Sequence, residues 1–169
     1  MPKIIENLQS RLAAEAKRQI EESGYSAVTI RSIAKGCGVG VGTVYNYFPS
    51  KDDLIASYML EDWKLCVLAI EAVSGQSADP GPVARCIYEQ LIAFARQQKS
   101  VFQDKSAAAG FAGSFSQYHS LLRSQLAQPL RKFCGSDFSA EFIAESLLVW
   151  TMAGKSFEEI FGIIRKLFL

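Results

Sequence analysis

Thr29-Ile30-Arg31-Ser32-Ile33-Ala34-Lys35-Gly36-Cys37-Gly38-Val39-Gly40-Val41-Gly42-Thr43-Val44-Tyr45-Asn46-Tyr47-Phe48 is the most informative stretch of this 169-residue chain. Ile30, Ile33, Ala34 and Cys37 recur at i, i+3, i+4 and i+7, the spacing of one helical face. The Thr29 hydroxyl can accept from the free amides of that helix's first turn. Gly36 and Gly38 end it. A second, short helix is expected over about Val41 to Phe48, closed by Pro49. Two short helices joined by a glycine-containing turn form the signature of a helix-turn-helix. In such a unit the second helix enters the major groove of DNA and the first crosses the backbone.

On the second helix, Val44 and Phe48 share one stripe and are expected to face the scaffold. Gly42 and Asn46 point the other way, with Thr43 and Tyr45 on the flanks. A purely solvated helix would carry Lys and Glu there. Gly42 removes bulk, and Asn46 can pair with the edge of adenine. The hydroxyls of Thr43, Tyr45 and Tyr47 suit phosphate oxygens. Ser50 and Lys51 open the next helix, where amides, dipole and ammonium can converge on one phosphate. Structural readings stand beside these. Thr29 caps its helix in either case, Arg31 can form a local ion pair, and Val41 can seal the helix contact. Tyr45 and Tyr47 can be half-buried scaffold residues. Lys51 can be an ordinary exposed lysine, although a lysine at a helix start opposes the dipole unless an anion is near.

The run Thr29-Ile30-Arg31-Ser32-Ile33-Ala34, then Gly38-Val39, Gly42-Thr43-Val44-Tyr45, Tyr47-Phe48, Lys51 and Leu54 resembles the TetR family of one-component bacterial regulators. The resemblance covers roughly residues 4–56. It implies a dimer that binds a palindromic double-stranded DNA operator, and a C-terminal bundle that binds a small effector and releases the DNA. It also implies that Thr29, Arg31, Val41, Gly42, Thr43, Tyr45, Asn46, Tyr47 and Lys51 touch DNA. Gly40 departs from the pattern, standing where the family often has a serine cap; glycine there costs only a few tenths of a kcal/mol.

Outward from this stretch, helical spacing dominates and strand-like alternation is nearly absent. A first helix is expected from Lys3 to Glu22, with Ile4, Leu8, Leu12, Ala16 and Ile20 on one stripe. A long helix is expected from Lys51 to Val73, then a loop over Ser74 to Pro82. Further helices are expected over Val83–Gln98, Phe115–Phe133 with a break at Pro129, Ser139–Ala153 and Ser156–Phe168. The fold class is therefore all-α: an N-terminal three-helix helix-turn-helix DNA-binding domain over residues 1–50, and a C-terminal helical bundle over 51–169 for effector binding and dimerisation.

Hydrophobic residues make up 49% of the chain and charged residues 21%, which excludes a disordered class. No apolar run is long enough to span a membrane, and the N-terminus lacks a secretory signal, so no membrane partner and a cytoplasmic location are expected. Residues 1–51 hold seven basic and four acidic side chains (7 − 4 = +3), against eleven and thirteen in the remainder (11 − 13 = −2). The excess marks the N-terminal part as the anion-facing one. Cys37, Cys66, Cys86, Cys134 and His119 have no zinc-site spacing, so no metal or cofactor is expected. The cysteines read as small apolar residues, with thiol sensing as the minor alternative.

Phe157, Ile160, Phe161, Ile164 and Phe168 make the last helix apolar on more than one face, and Ile163, Leu167 and Leu169 add to it. A second subunit is the expected cover, through a two-fold four-helix interface of the last two helices. Trp63, Tyr88, Phe94, Phe115, Tyr118 and Trp150 are candidate lining for a small apolar or aromatic effector, with His119 as a polar contact; aromatic residues at helical spacing equally suit a plain core. No paired carboxylates with histidine, nucleophile–histidine set or glycine-rich phosphate loop points to an enzyme. A helical protein-interaction module without operator binding is the alternative reading.

Overall fold

The computed structural model describes residues 7–168, with the Phe115 side chain outside that description. The expected first turn from Lys3 with Ile4, and Leu169, therefore lie outside the described residues. Among the described residues every regular element is helical: α1 (Leu8–Ser23), α2 (Ile30–Cys37), α3 (Val41–Tyr45), α4 (Lys51–Gln76), α5 (Pro80–Gln97), α6 (Lys99–Phe102), α7 (Lys105–Phe111), α8 (Phe115–Ala127), α9 (Asp137–Met152) and α10 (Phe157–Ile164). Short 3₁₀ turns occupy Tyr25–Ala27, Gln128–Phe133 and Arg165–Leu167. No helix among the described residues is long and apolar enough to cross a membrane.

The chain forms two compact units. The first joins residues up to Asp62 with Gln98–Gly113; the second joins Trp63–Gln97 with Ser114–Leu169. This differs from a division at residue 50, for a packing reason. Leu54, Ile55 and Tyr58 of α4 are buried with Leu8, Leu12, Ile20, Ile33, Val44 and Phe48 in one core, and Val101 and Ala107 complete it. Cutting at residue 50 would leave these apolar groups bare, each worth about 1.5–3 kcal/mol when fully buried.

Within the first unit, α1 buries Leu8, Leu12, Ala16 and Ile20, a four-residue spacing that lays one stripe on the core. It ends where Gly24 takes φ 80° and its N–H donates to the Ile20 carbonyl at 2.8 Å. A polar network ties α1 to α2. The Glu15 carboxylate accepts from Arg18 at 2.6 and 2.9 Å and from Gln19 Nε2 at 2.7 Å. Gln19 also donates to the Ser32 carbonyl at 3.0 Å and accepts from Ser32 Oγ at 2.6 Å. A side chain at Gly36 would collide with the Glu15 carboxylate, so it could be accommodated only if Glu15 moved. Lys17 and Gln98 both reach Asp62, at 2.8 and 2.7 Å, tying α1 and the residue before α6 to α4.

In the second unit, Trp63, Cys66 and Ile70 of α4 are buried, as are Val83, Ala84, Ile87, Leu91 and Phe94 of α5 and Ala140, Ile143, Ala144 and Leu147 of α9. The expected break at Pro129 is the end of α8 and the start of the Gln128–Phe133 turn. The last helix is partly enclosed by its own unit. Phe157, Ile160 and Ile164 are buried within the unit. Phe157 packs edge-on against Tyr88 at 5.6 Å and stacks on Phe161 at 5.0 Å. Phe161 in turn meets Phe168, and both are half-buried. Phe157, Ile160 and Ile164, spaced i, i+3 and i+7, make one face, against which Tyr88 of α5 packs. The exposed large apolar groups of this unit are Leu65, Leu68, Leu121, Phe138, Phe142, Val149, Trp150, Met152, Ile163 and Leu167.

Cys66 is buried, and Cys37, Cys86 and Cys134 are half-buried. Burial pushes the thiols of Cys37, Cys86 and Cys134 above their ordinary value, which favours the unreactive protonated form.

Hydrogen bonds from Arg18 and then Gln19 hold the Glu15 carboxyl down, from 4.5 to about 2. A depressed carboxylate contributes stability that is full above its unfolded value and is lost as pH falls toward the folded one. Glu15→Gln should therefore lower the melting temperature relative to the parent above about pH 5, with the gap closing as pH falls toward about 2. A gap that stays constant across this range in thermal melts would remove Glu15 from the network's energetics.

Candidate nucleic-acid interface

The interface begins with the cap of α2. Thr29 Oγ1 accepts from the Ser32 N–H at 3.0 Å, and Ser32 Oγ accepts from the Thr29 N–H at 3.0 Å. This reciprocal pair fixes the start of α2 and leaves Thr29 and Arg31 exposed on its first turn. At the other end Gly38 takes φ 68°, a left-handed turn that an L side chain rarely adopts, and its N–H returns to Ala34 and Lys35. Arg11 Nη2 donates to the Cys37 carbonyl at 3.1 Å, which places a cation at the negative end of α2.

Gly38 turns the chain into α3, which covers Val41–Tyr45, shorter than the expected run to Phe48. Beyond Tyr45 the backbone continues as a tight turn, with the Tyr47 and Phe48 amides both donating to Val44 at 3.0 Å. The helix shortens because Pro49 lies just ahead and a proline disfavours helical backbone at the residue before it. The division of the surface nevertheless holds. Val44 and Phe48 are buried, while Val41, Gly42, Tyr45 and Asn46 are exposed. Tyr45 is 52% exposed, so the half-buried scaffold reading does not describe it. Tyr47 does fit that reading, being packed against the core, and Thr43 is half-buried. A side chain at Gly42 would meet open space, so glycine is not required there by the chain's own packing.

Lys51 has partners within the protein. Its ammonium donates to the carbonyls of Tyr25 and Val28 at 3.1 and 3.2 Å and lies 3.7 Å from the centroid of the Tyr25 ring. These carbonyls supply, from inside the protein, the negative partner that a phosphate was expected to supply. Asp52 and Asp53 fill the first turn of α4, and Ser50 Oγ accepts from the Asp53 N–H at 3.1 Å. Sequence reasoning treated Ser50 and Lys51 as an anion cradle without weighing these two carboxylates.

Tyr25 and Asp52 are the residues that sequence reasoning missed. The buried Tyr25 hydroxyl donates to the Asp52 carboxylate. Burial, and then that carboxylate, push the hydroxyl well above its ordinary range, so it remains a donor. The turn Tyr25–Val28 that precedes α2 is thus gripped by Lys51 and Asp52. The signal in the sequence is Tyr25 and Val28, large side chains between α1 and α2 that the fold buries.

The candidate effector residues are less united. Trp63 and Phe94 are buried and meet edge-on at 5.3 Å, and Trp63 Nε1 donates to Gln125 Oε1 at 2.8 Å. Tyr88 belongs to a different ring pair, with Phe157, and its hydroxyl reaches the Lys155 carbonyl at 3.2 Å. Tyr118 is half-buried, and the Phe115 side chain is outside the described residues. Trp150 is 52% exposed on the outer side of α9, which removes it from an internal lining. His119 Nε2 lies 3.4 Å from Glu145 Oε1.

Residues 12–58 match the family described as bacterial regulatory proteins, tetR family. The chain is 35% identical over 54 residues to the HTH-type transcriptional regulator HbdR of Aromatoleum sp. (strain CIB), covering 32% of this chain and 24% of that protein. It is 30% identical over 126 residues to the HTH-type transcriptional repressor KstR of Mycobacterium tuberculosis, covering 60% of this chain and 56% of the relative. The chain therefore spans less than two thirds of the curated relatives it matches. In three dimensions it is similar to the TetR family repressor AlkX from Dietzia sp. strain DQ12-45-1b, with a TM-score of 0.68 and 15% identity over 95% of this chain and 92% of the other. That likeness concerns the fold alone.

Replacing Lys51 by Met keeps the stem and removes the donor. Hydrogen bonds to a charged group are worth about 1.5–3 kcal/mol, so chemical denaturation should show a loss of roughly that size. A loss under about 0.5 kcal/mol would mean that the ammonium does not hold the Tyr25–Val28 turn.

Proposed function

We propose that this chain, whose residues 12–58 match the tetR family of bacterial regulatory proteins, is a DNA-binding transcriptional regulator: a dimer that represses from a palindromic operator and is released by a small apolar or aromatic effector. The observation that carries this reading is the outer face of α3. Gly42, Tyr45 and Asn46 stand exposed and uncharged above the buried Val44 and Phe48. A face of this kind can approach base edges closely, with Asn46 offering the donor and acceptor pair that adenine presents in mirror image. Thr43, Tyr45 and Tyr47 supply hydroxyls to phosphates, and Thr29 and Arg31 supply the first turn of α2 to the backbone. Val41 stands exposed at the edge of the same face. Lys51 serves this surface indirectly, through the turn before α2. Repression rather than activation follows the repressor KstR.

The dimer reading keeps α9 but changes its residues. Phe138, Phe142, Val149 and Met152 repeat at four-, seven- and three-residue steps, which is one stripe along the helix. All four are exposed, Phe138 by 75%. A stripe of large side chains left in water calls for a partner, and a second copy of the chain presents the same stripe by two-fold symmetry. Two heads so paired can reach successive major grooves about 34–36 Å apart. For the effector, the buried edge-on pair Trp63 and Phe94, with Gln125 as a polar group between helices, favours an apolar or aromatic molecule.

Selection from a random pool of duplex DNA should enrich an inverted repeat, with binding that weakens as salt rises. Asn46→Ala should cost about 1–3 kcal/mol on the selected sequence and leave binding to unrelated duplex unchanged. Failure to enrich any sequence would sink the operator reading. For the interface, Phe142→Glu should convert a dimer to a monomer in sedimentation velocity while keeping full helical circular dichroism; a parent chain that is already monomeric at micromolar concentration would refute the dimer.

A further inference from the structure

We propose that the DNA-reading head is discontinuous in sequence, and that Gly110, far downstream on α7, is a positioning residue for it together with Tyr25 and Asp52. The consequence for DNA rests on the function proposed above, whereas the contact itself does not.

Segment Gln98–Gly113 leaves the second unit, joins the first and returns. Val101 and Ala107 are as deeply buried in the head core as the residues of α1. Asp104 caps α7 by accepting from the Ser106 and Ala107 amides at 2.8 and 3.2 Å. Its other oxygen accepts from Ser26 Oγ at 2.7 Å, inside the turn that precedes α2. Gly110 then brings the α7 backbone against the Tyr25–Asp52 pair. A Cβ there would stand 2.6 Å from Asp52 Oδ2 and 3.1 Å from the Tyr25 hydroxyl oxygen. The carboxylate cannot simply swing aside, because it holds the Tyr25 hydroxyl. The Tyr25 ring and carbonyl in turn hold the Lys51 ammonium, which also binds the Val28 carbonyl. Val28 is followed by Thr29, the cap of α2. A continuous chain of contacts thus runs from Gly110 to the first turn of the helix-turn-helix. Any side chain at Gly110 must either lift α7 from the head or break the Tyr25–Asp52 bond, and both loosen the cap.

The test is a double-mutant cycle in the full-length chain. Gly110→Ala should lower affinity for the selected duplex by about fivefold or more, with helical circular dichroism retained, and by under about twofold when Asp52→Ala has already cleared the space. Without DNA, hydrogen exchange should report the same coupling: Gly110→Ala should speed the amides of residues 25–32 by about tenfold, and much less in the Asp52→Ala background. Equal effects in both backgrounds, or no effect on those amides, overturn the proposal. If Gly110→Ala fails to fold, Tyr25→Phe carries the test, since it removes one hydroxyl and preserves the packing. It should speed the same amides, and unchanged exchange overturns the proposal. A parent chain that binds no duplex refutes the DNA reading, and the exchange result still decides whether Gly110 positions the head.

Discussion

A helix of five residues cannot stand by itself. Its few backbone bonds do not repay the cost of nucleation, so α3 has a direction only because Val44 and Phe48 are sunk in the core beneath it. Everything else in the first unit follows from the need to keep that floor fixed. The stripe of α1 and the start of α4 build the floor, Gly38 turns the chain onto it, and the Thr29–Ser32 cap sets where α2 begins. Packing supplies the stability, while the polar ties supply the register. Glu15, Gln19 and Ser32 set α1 against α2, and Lys51 and Asp52 set the turn between them.

Much of this was legible from the sequence because it depends on local rules. Thr29 lies where a cap must lie, the apolar residues of α1 and α2 recur at helical spacing, and Gly38 sits where a left-handed turn is needed. Such signals act over a few residues and survive without knowledge of the fold. The remainder depends on partners distant in sequence. Lys51 reads as a cation at a helix start, and only the fold brings the carbonyls of Tyr25 and Val28 to it. Phe157, Ile160 and Ile164 read as an uncovered face, because sequence periodicity reports that a face is apolar but not what covers it. Residues 103–114, rich in small side chains, read as a loop or short irregular helix, since the buried Ala107 alone shows no period.

The second unit divides its apolar residues into two populations. One set, including Trp63, Phe94, Leu147 and Phe157, is enclosed by the chain itself. The other, led by Phe138 and Phe142, whose rings lie 6.3 Å apart, faces outward. The first set is what any folded helical unit requires. The second costs solubility unless something occupies it, which is why it bears on assembly and the first does not.

The outer face of α3 carries no formal charge. Gly42, Tyr45 and Asn46 offer shape and hydrogen bonds, while the basic side chains that precede them, Arg31 and Lys35, belong to α2. On the function proposed above, attraction to a polyanion and choice among base sequences would reside on different helices. Long-range attraction depends on charge and is blind to sequence, whereas hydrogen bonding at the α3 face is short-ranged and selective. Under that proposal, changes at Tyr45 or Asn46 would shift the target of a descendant while Arg31 and Lys35 kept the same pull toward DNA in general.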